Sequence, residues 1–75
     1  MLKKERLLIL TEIVNQEGII TVADIVKQLN VSDMTVRRDL DELDKAGKIL
    51  RIHGGAQSIS YALDQELSHT EKQEV

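Results

Sequence analysis

The sequence predicts one small domain that is mainly α-helical, with a β-hairpin after its last helix. Three observations predict this fold class. Apolar residues recur at helical spacing in three stretches, and each stretch ends before a glycine or an asparagine. Two short segments of strand character then flank a Gly-Gly pair. The 75 residues contain no cysteine, so a single aliphatic core has to stabilise the fold without disulfides.

The first stretch, residues 3–16, predicts an amphipathic helix that ends before Gly18. Its apolar residues lie on one helical face: Leu7, Leu10, Ile13 and Val14. The segment GIIT that follows is rich in β-branched side chains, which pack well on a pleated surface. It therefore predicts a short strand.

The second and third stretches predict two helices joined by a very short turn. Thr21 is the predicted N-cap of the second helix, which is expected to end near Asn30. Ser32 is the predicted N-cap of the third helix, which spans residues 33–46 and ends at Gly47. The apolar residues of the two helices lie at helical spacing: Val22, Ile25, Val26, Leu29, Val36, Leu40 and Leu43.

After the third helix, the sequence predicts a β-hairpin. KILRIH and AQSIS have strand character, and Gly54-Gly55 can adopt the positive φ angles of a tight turn. Three helices followed by such a hairpin are typical of a winged helix-turn-helix domain, here spanning residues 3–58. Residues 59–75 are polar and acidic, and they predict a flexible linker or the start of a truncated effector domain.

The distribution of charge is compatible with a nucleic-acid partner, although the net charge of -3 by itself argues against one. Residues 1–58 carry equal numbers of basic and acidic side chains, and the excess of acid lies in residues 59–75. A neutral domain can bind DNA when its basic residues share one face. Whether this domain can bind DNA therefore depends on the helical face on which the arginines lie.

The exposed face of the third helix carries the main candidate DNA contacts. Arg38 lies about 200° and Arg37 about 100° from the centre of the buried face. Thr35 lies beside them, and Ser32 and Asp33 lie at the helix N-terminus, where free amides attract a phosphate. Such a helix fits the major groove, where arginine can donate two hydrogen bonds to guanine.

The same residues also have a purely structural interpretation. Arg38 can form salt bridges with Asp41 or Glu42, as on any solvated helix. Arg37 can pair with Asp41 in the same way. Asp39, next to the two arginines, is expected to orient them or to neutralise the helix rather than to face phosphate. Periodicity alone leaves both interpretations open.

The hairpin supplies a second set of candidate contacts. His53, beside the two glycines, can contact a phosphate or enter a minor groove, helped by Arg51 and Lys48. Gly54 and Gly55 suit a turn that approaches another backbone closely. Alternatively, His53 only completes the hydrogen bonds of the turn.

The sequence argues against catalysis, cofactor binding and membrane insertion. It contains no GxSxG, no Gly-rich phosphate loop, no HExxH and no cysteine, so we predict that the protein is not an enzyme and binds no cofactor. The two isolated histidines, His53 and His69, do not make a zinc site. No apolar run approaches about 18 residues, and we expect a cytoplasmic location. Tyr61, the one aromatic residue, argues against binding of single-stranded nucleic acid.

The segment SDMTVRRDL, followed by EL, Gly47 and RIHGGA, resembles the signature of the DeoR-type repressors, which are bacterial regulators of sugar catabolism. The resemblance covers residues 3–58 and implies a helix-turn-helix motif at residues 20–39, with the HGG hairpin as the wing. The residues and the resemblance together predict these DNA contacts: Thr21, Ser32, Asp33, Thr35, Arg37, Arg38, Arg51, His53, Gly54 and Gly55.

The resemblance also implies partners. It implies binding to double-stranded operator DNA, and a sugar-phosphate effector that binds only to a further domain outside these 75 residues. The parent protein is then expected to be a homo-oligomer, and the 75-residue chain a monomer. The alternative function is a winged-helix module for protein-protein interaction or dimerisation.

Within the family, NVSDMTVRRDL, IHGGA and ELSHTEK resemble the lactose-type repressors of Gram-positive bacteria. This closer resemblance implies control of genes for lactose or galactose catabolism, with an intermediate such as tagatose 6-phosphate as the effector. One departure concerns the wing, where Gln57 and Ser58 are neutral at positions at which a relative can carry a basic residue. We therefore expect the wing to contribute little affinity.

Overall fold

In the computed structural model, which describes residues 2–64, helices and a three-stranded sheet follow the predicted order. The elements are α1 Lys3–Glu17, β1 Ile19–Thr21, α2 Val22–Leu29, α3 Asp33–Lys45, β2 Leu50–Ile52 and β3 Gly55–Gln57. Residues 59–64 form a further helix, α4. The predicted winged helix-turn-helix fold is confirmed. None of the helices in this part of the chain has the length and apolar content needed to cross a membrane.

The sheet has the order β1-β3-β2, with both pairs of neighbours antiparallel. Ile20 lies opposite Ala56, and both side chains are buried, so this face of the sheet covers the core. Ile19 and Leu50 both lie opposite Gln57, which places all three on the other face. Ile19 is 47% exposed and Leu50 is 36% exposed. The sheet thus has a buried inner face and a partly apolar outer face.

Aliphatic side chains from every helix of the motif fill one core. The buried residues are Leu10, Val14, Ile20, Val22, Ile25, Val36, Leu40, Leu43, Ile49 and Ala56. The remaining predicted core residues pack against this cluster: Leu7, Ile13, Val26 and Leu29. The predicted helical faces are therefore correct. The core also contains Ile20 of β1, Ala56 of β3 and Ile49, which directly precedes β2. Helical periodicity does not predict the burial of these three residues.

The turn between α2 and α3 consists of three residues, and capping interactions define both of its ends. Asn30 adopts a left-handed conformation with φ 56°, which ends α2. The Ser32 hydroxyl accepts a hydrogen bond from the amide of Thr35 and begins α3. At the start of α2, the Thr21 hydroxyl accepts from the amide of Asp24 at 3.1 Å. Both predicted N-caps are confirmed, and they fix the orientation of α3.

Helix α4 is attached directly to the rest of the fold. The Ser58 hydroxyl accepts a hydrogen bond from the amide of Tyr61 at 3.0 Å and caps the helix, while the Ser58 amide donates to the Gly18 carbonyl at 2.8 Å. The Tyr61 ring lies against Gly18. Residues 59–64 are therefore not a flexible linker, and the alternative, that they begin a truncated effector domain, stays a prediction. The part of that prediction concerning residues 65–75 lies outside the described residues.

Candidate nucleic-acid interface

The N-terminus of α3 exposes a pair of linked hydroxyls. The Ser32 hydroxyl accepts from the Thr35 amide at 3.2 Å and donates to the Thr35 hydroxyl at 2.8 Å. This arrangement leaves the hydroxyl hydrogen of Thr35 available to donate to an acceptor outside the protein. Free amides and the positive end of the helix dipole lie at the same point. The N-terminus of α3 is thus suited to an anionic or hydrogen-bond-accepting partner.

Arg37 is held by the first residue of its own helix. Its Nε donates to Oδ1 of Asp33 at 2.9 Å, and both side chains are 59% exposed. The structural interpretation offered Asp41 as the partner of Arg37, and Asp33 takes that place instead. Because the Asp33 carboxylate orients an arginine, a direct contact of Asp33 with phosphate would bring two negative groups together. We therefore interpret Asp33 as a positioning residue for Arg37.

Arg38 is exposed and forms no salt bridge with any residue between 2 and 64. The two acids that were expected to neutralise it have other partners. Asp41 accepts from Arg51, and Glu42 accepts from Lys3 at 2.9 Å. The structural interpretation of Arg38, a salt bridge with Asp41 or Glu42, therefore finds no support among residues 2–64. Its guanidinium is left available for a partner outside this part of the chain.

Asp39 faces the protein interior. It is only 3% exposed, and both of its carboxylate oxygens accept hydrogen bonds from the Arg6 guanidinium on α1. These hydrogen bonds with Asp39 raise the pKa of Arg6 further above its ordinary high value. Of the two roles that the sequence left open for Asp39, orienting Arg37 and Arg38 is wrong, because its partner is Arg6. The pair instead joins α1 to the inner side of α3.

Arg51 binds within the protein and organises the hairpin. Its Nη1 donates to the carbonyl of Ile52 at 2.7 Å and to that of Gly55 at 2.6 Å. Its Nε donates to Asp41 at 3.0 Å, and its backbone amide donates to Asp44 at 3.1 Å. The sequence predicted a direct DNA contact for Arg51. These partners indicate instead that Arg51 positions the wing.

The turn of the wing consists of His53 and Gly54, both exposed. Gly54 has φ 77°, a conformation that favours glycine. The Gly54 carbonyl accepts from the amide of Val22 at 2.9 Å, so the turn is attached to the start of α2. The predicted turn at Gly54-Gly55 is wrong by one residue. The wing is short, and its tip lies beside Thr21.

Gly55 is buried in β3, and its burial argues against the predicted contact with DNA. A Cβ atom at Gly55 would lie 2.2 Å from the carbonyl oxygen of Ile20 and 3.0 Å from the Cα of Thr21. The sequence suggested that the glycine pair lies close to another backbone. At Gly55 this other backbone is β1 of the same chain. Glycine at this position allows β1 and β3 to pair.

Comparison with known protein families decides the class of this domain. The DeoR-like helix-turn-helix domain matches residues 6–62, most of the chain. The chain belongs to this family. The resemblance to the DeoR-type family that SDMTVRRDL and RIHGGA indicated is confirmed.

Individual relatives of this DeoR-like domain agree with that result. The chain is 51% identical over 72 residues to the lactose phosphotransferase system repressor of Streptococcus mutans. It is 53% identical over 72 residues to the lactose phosphotransferase system repressor of Staphylococcus aureus. Each alignment covers 96% of this chain and 29% of the relative. The chain thus spans less than a third of the length of these curated relatives. No significant match was found among solved structures.

Two open clefts connect the parts of the DeoR-like domain that were predicted to contact DNA. One, of about 510 Å³, lies between the first turn of α2, Arg37 and Gly54. The other, of about 330 Å³, lies between Arg37, Asp41 and His53. Arg37 and Gly54 line both clefts. The N-termini of α2 and α3 and the wing tip therefore form one continuous grooved surface.

Sequence reasoning missed one exposed residue in the first turn of α3. Met34, the second residue of α3, is 63% exposed. A signal for it was present, because a residue four positions before Arg38 lies on the same helical face. The sequence pattern indicated only polar side chains as DNA contacts on this face, and it gave Met34 no role.

Proposed function

We propose that this DeoR-like domain binds double-stranded operator DNA in a sequence-specific manner, with α3 in the major groove. The proposal rests on the exposure of Arg38 and on its lack of an acidic partner in the described residues. Arg38 is exposed on the outer face of α3, and no acid among residues 2–64 neutralises it, although Asp41 and Glu42 lie within one turn. An arginine in this position can donate two hydrogen bonds to O6 and N7 of a guanine.

The neighbouring groups fit the supporting contacts of such a complex. In helix-turn-helix proteins, the N-terminal residues of the recognition helix contact base edges while other groups bind phosphates. The Thr35 hydroxyl, which Ser32 orients, and the free amides of α3 are donors at that end of the helix. The exposed side chains of Thr21 and His53 border the same surface and are suited to flanking phosphates. Arg37, oriented by Asp33, lies between them and is suited to a phosphate as well.

The names of the relatives suggest the biological role. Because the repressors of S. mutans and S. aureus are named for the lactose phosphotransferase system, we propose that this domain directs a repressor of lactose or galactose catabolism to its operator. Such a DNA-binding domain, here called a head, acts in the cytoplasm, where bacterial DNA lies. In a homo-oligomeric parent, two heads would occupy half-sites about one helical turn or a multiple apart. A sugar-phosphate effector would bind outside residues 2–64 and weaken this binding by shifting the parent between two states.

A second candidate function, protein interaction or dimerisation, has one observation in its favour. Ile19 and Leu50 are partly exposed on the outer face of the sheet, and Ile59 and Leu63 are 37% and 54% exposed on α4. The outer face of the sheet points away from α3, because Arg51, on the inner face, contacts Asp41. The two candidate functions therefore use different surfaces. DNA binding is favoured because it explains why Arg38 is exposed without an acidic partner among residues 2–64.

A binding selection tests the proposal. The 75-residue chain is used to select duplexes from a random library, and affinities for the selected and a scrambled duplex are measured by fluorescence anisotropy. We expect a clear preference for the selected duplex. Arg38→Ala should lose about 1–3 kcal/mol of binding free energy and relax the preference at one base pair. Lys4→Ala, which removes the same charge from α1, is the matched control and should change little. Equal affinity for both duplexes, or equal losses in the two variants, would contradict the proposal.

A further inference from the structure

Met34 is an apolar side chain on the face of α3 that is otherwise polar. It is 63% exposed, and along α3 it lies between the N-cap Ser32 and Arg38, which has no salt-bridge partner among residues 2–64. A single exposed apolar residue is common on protein surfaces and needs no partner. The position of Met34, in the first turn of the helix proposed to enter the major groove, is what distinguishes it from the other exposed apolar residues.

The geometry of the helix places Met34 beside Arg38. The two residues are four positions apart, which puts them about 40° apart around the axis and about 6 Å apart along it. This separation corresponds to about two base pairs along the duplex. When Arg38 contacts a base edge, Met34 therefore faces the edge of a neighbouring base pair rather than the phosphate backbone.

The chemistry of the side chain selects what it can recognise there. A thioether is at best a weak hydrogen-bond acceptor, so Met34 cannot distinguish bases by donors and acceptors. The apolar group that the major groove presents is the 5-methyl group of thymine. A flexible and polarisable methionine adapts well to such a small apolar target.

We propose that Met34 packs against the 5-methyl group of a thymine within about two base pairs of the pair contacted by Arg38, and thereby contributes to operator specificity. This inference rests on the proposed function, since it requires α3 to lie in the major groove. In this proposal, Met34 recognises a base by apolar contact, whereas Arg38 recognises a base by hydrogen bonding. The thymine should be recognised because its methyl group leaves water on contact with the side chain.

Methyl deletion in the DNA tests the inference. In the duplex obtained by selection with the 75-residue chain, each thymine is replaced in turn by deoxyuridine, which removes only the methyl group. For the wild-type chain, we expect about a fourfold loss of affinity at one or two positions, the value for burial of one methyl-sized group. Met34→Ala should lose this sensitivity at those positions, whereas Met34→Leu should retain it. Arg38→Ala should bind more weakly but keep the same sensitivity to the methyl group.

The outcomes separate this inference from the function on which it rests. If the wild-type chain selects and binds a duplex but no thymine is sensitive to loss of its methyl group, Met34 does not recognise thymine and the inference fails alone. The same conclusion follows if Met34→Ala retains the full sensitivity of the wild type. If the chain binds no duplex in preference to a scrambled one, the proposed function fails, and the inference fails with it.

Discussion

Arg51 on β2 and Asp41 on α3 are joined by a hydrogen bond of 3.0 Å between Nε and Oδ1. The same guanidinium donates through Nη1 to the carbonyls of Ile52 and Gly55, on either side of the turn at the wing tip. One side chain therefore closes the hairpin and attaches it to α3, the helix that we propose to face DNA. The distance between the two parts of the proposed interface depends on this residue.

Arg51→Lys should separate positioning from direct contact, because lysine keeps the charge but lacks the planar fork of donors. If Arg51 positions the wing, the variant should lose about 1 kcal/mol of unfolding free energy in urea denaturation, and its affinity for the selected duplex should fall. Lys48→Arg, at an exposed position before the hairpin, is the control. Near wild-type stability and affinity in Arg51→Lys would indicate that only the charge at this position matters.

Asp39→Ala should destabilise the fold, because it removes both acceptors of the Arg6 guanidinium on the inner side of α3. The midpoint of thermal unfolding should fall by several degrees. Glu42→Gln breaks the exposed ion pair with Lys3 and serves as the control, with an expected change below about 0.5 kcal/mol. Similar effects of the two substitutions would show that the Arg6 and Asp39 pair adds no more than a surface ion pair.

Gly55→Ala should destabilise the domain by about 3 kcal/mol, because the new Cβ would meet the backbone of β1 rather than a flexible side chain. Gly47→Ala is a matched control at a site where a Cβ would meet nothing within 4 Å and the cost comes from φ 75° alone. It should cost about 1 kcal/mol. Urea denaturation of both variants gives the comparison. A Gly55→Ala chain as stable as Gly47→Ala would mean that β1 and β3 can separate at little cost.

The sequence predicted the helices and their caps well, because helices and caps depend on residues that are close together along the chain. Thr21 and Ser32 cap their helices as expected, and Asn30 ends α2 in the left-handed conformation. These positions are decided by hydrogen bonds that span three or four residues. The order of the elements and the outward direction of Arg38 follow from the same short-range patterns.

Contacts between distant residues account for most of the errors. Asp39 lies three residues after Val36 and four before Leu43, so helical spacing does place it on the inner face, but nothing local identifies Arg6 as its partner. Gly55 is explained by its approach to Ile20, which depends on the pairing of strands far apart in the chain. The partners of Arg51 likewise lie on another element.

The most direct test of DNA recognition by α3 is an NMR titration of the 75-residue chain with the selected duplex at two salt concentrations. We expect amide shifts in the helix-turn-helix motif, residues 20–39, and in the hairpin, residues 51–56, with weaker binding at the higher salt concentration. Shifts centred on Ile19, Leu50 and α4, or no shifts at about 1 mM duplex, would contradict this expectation.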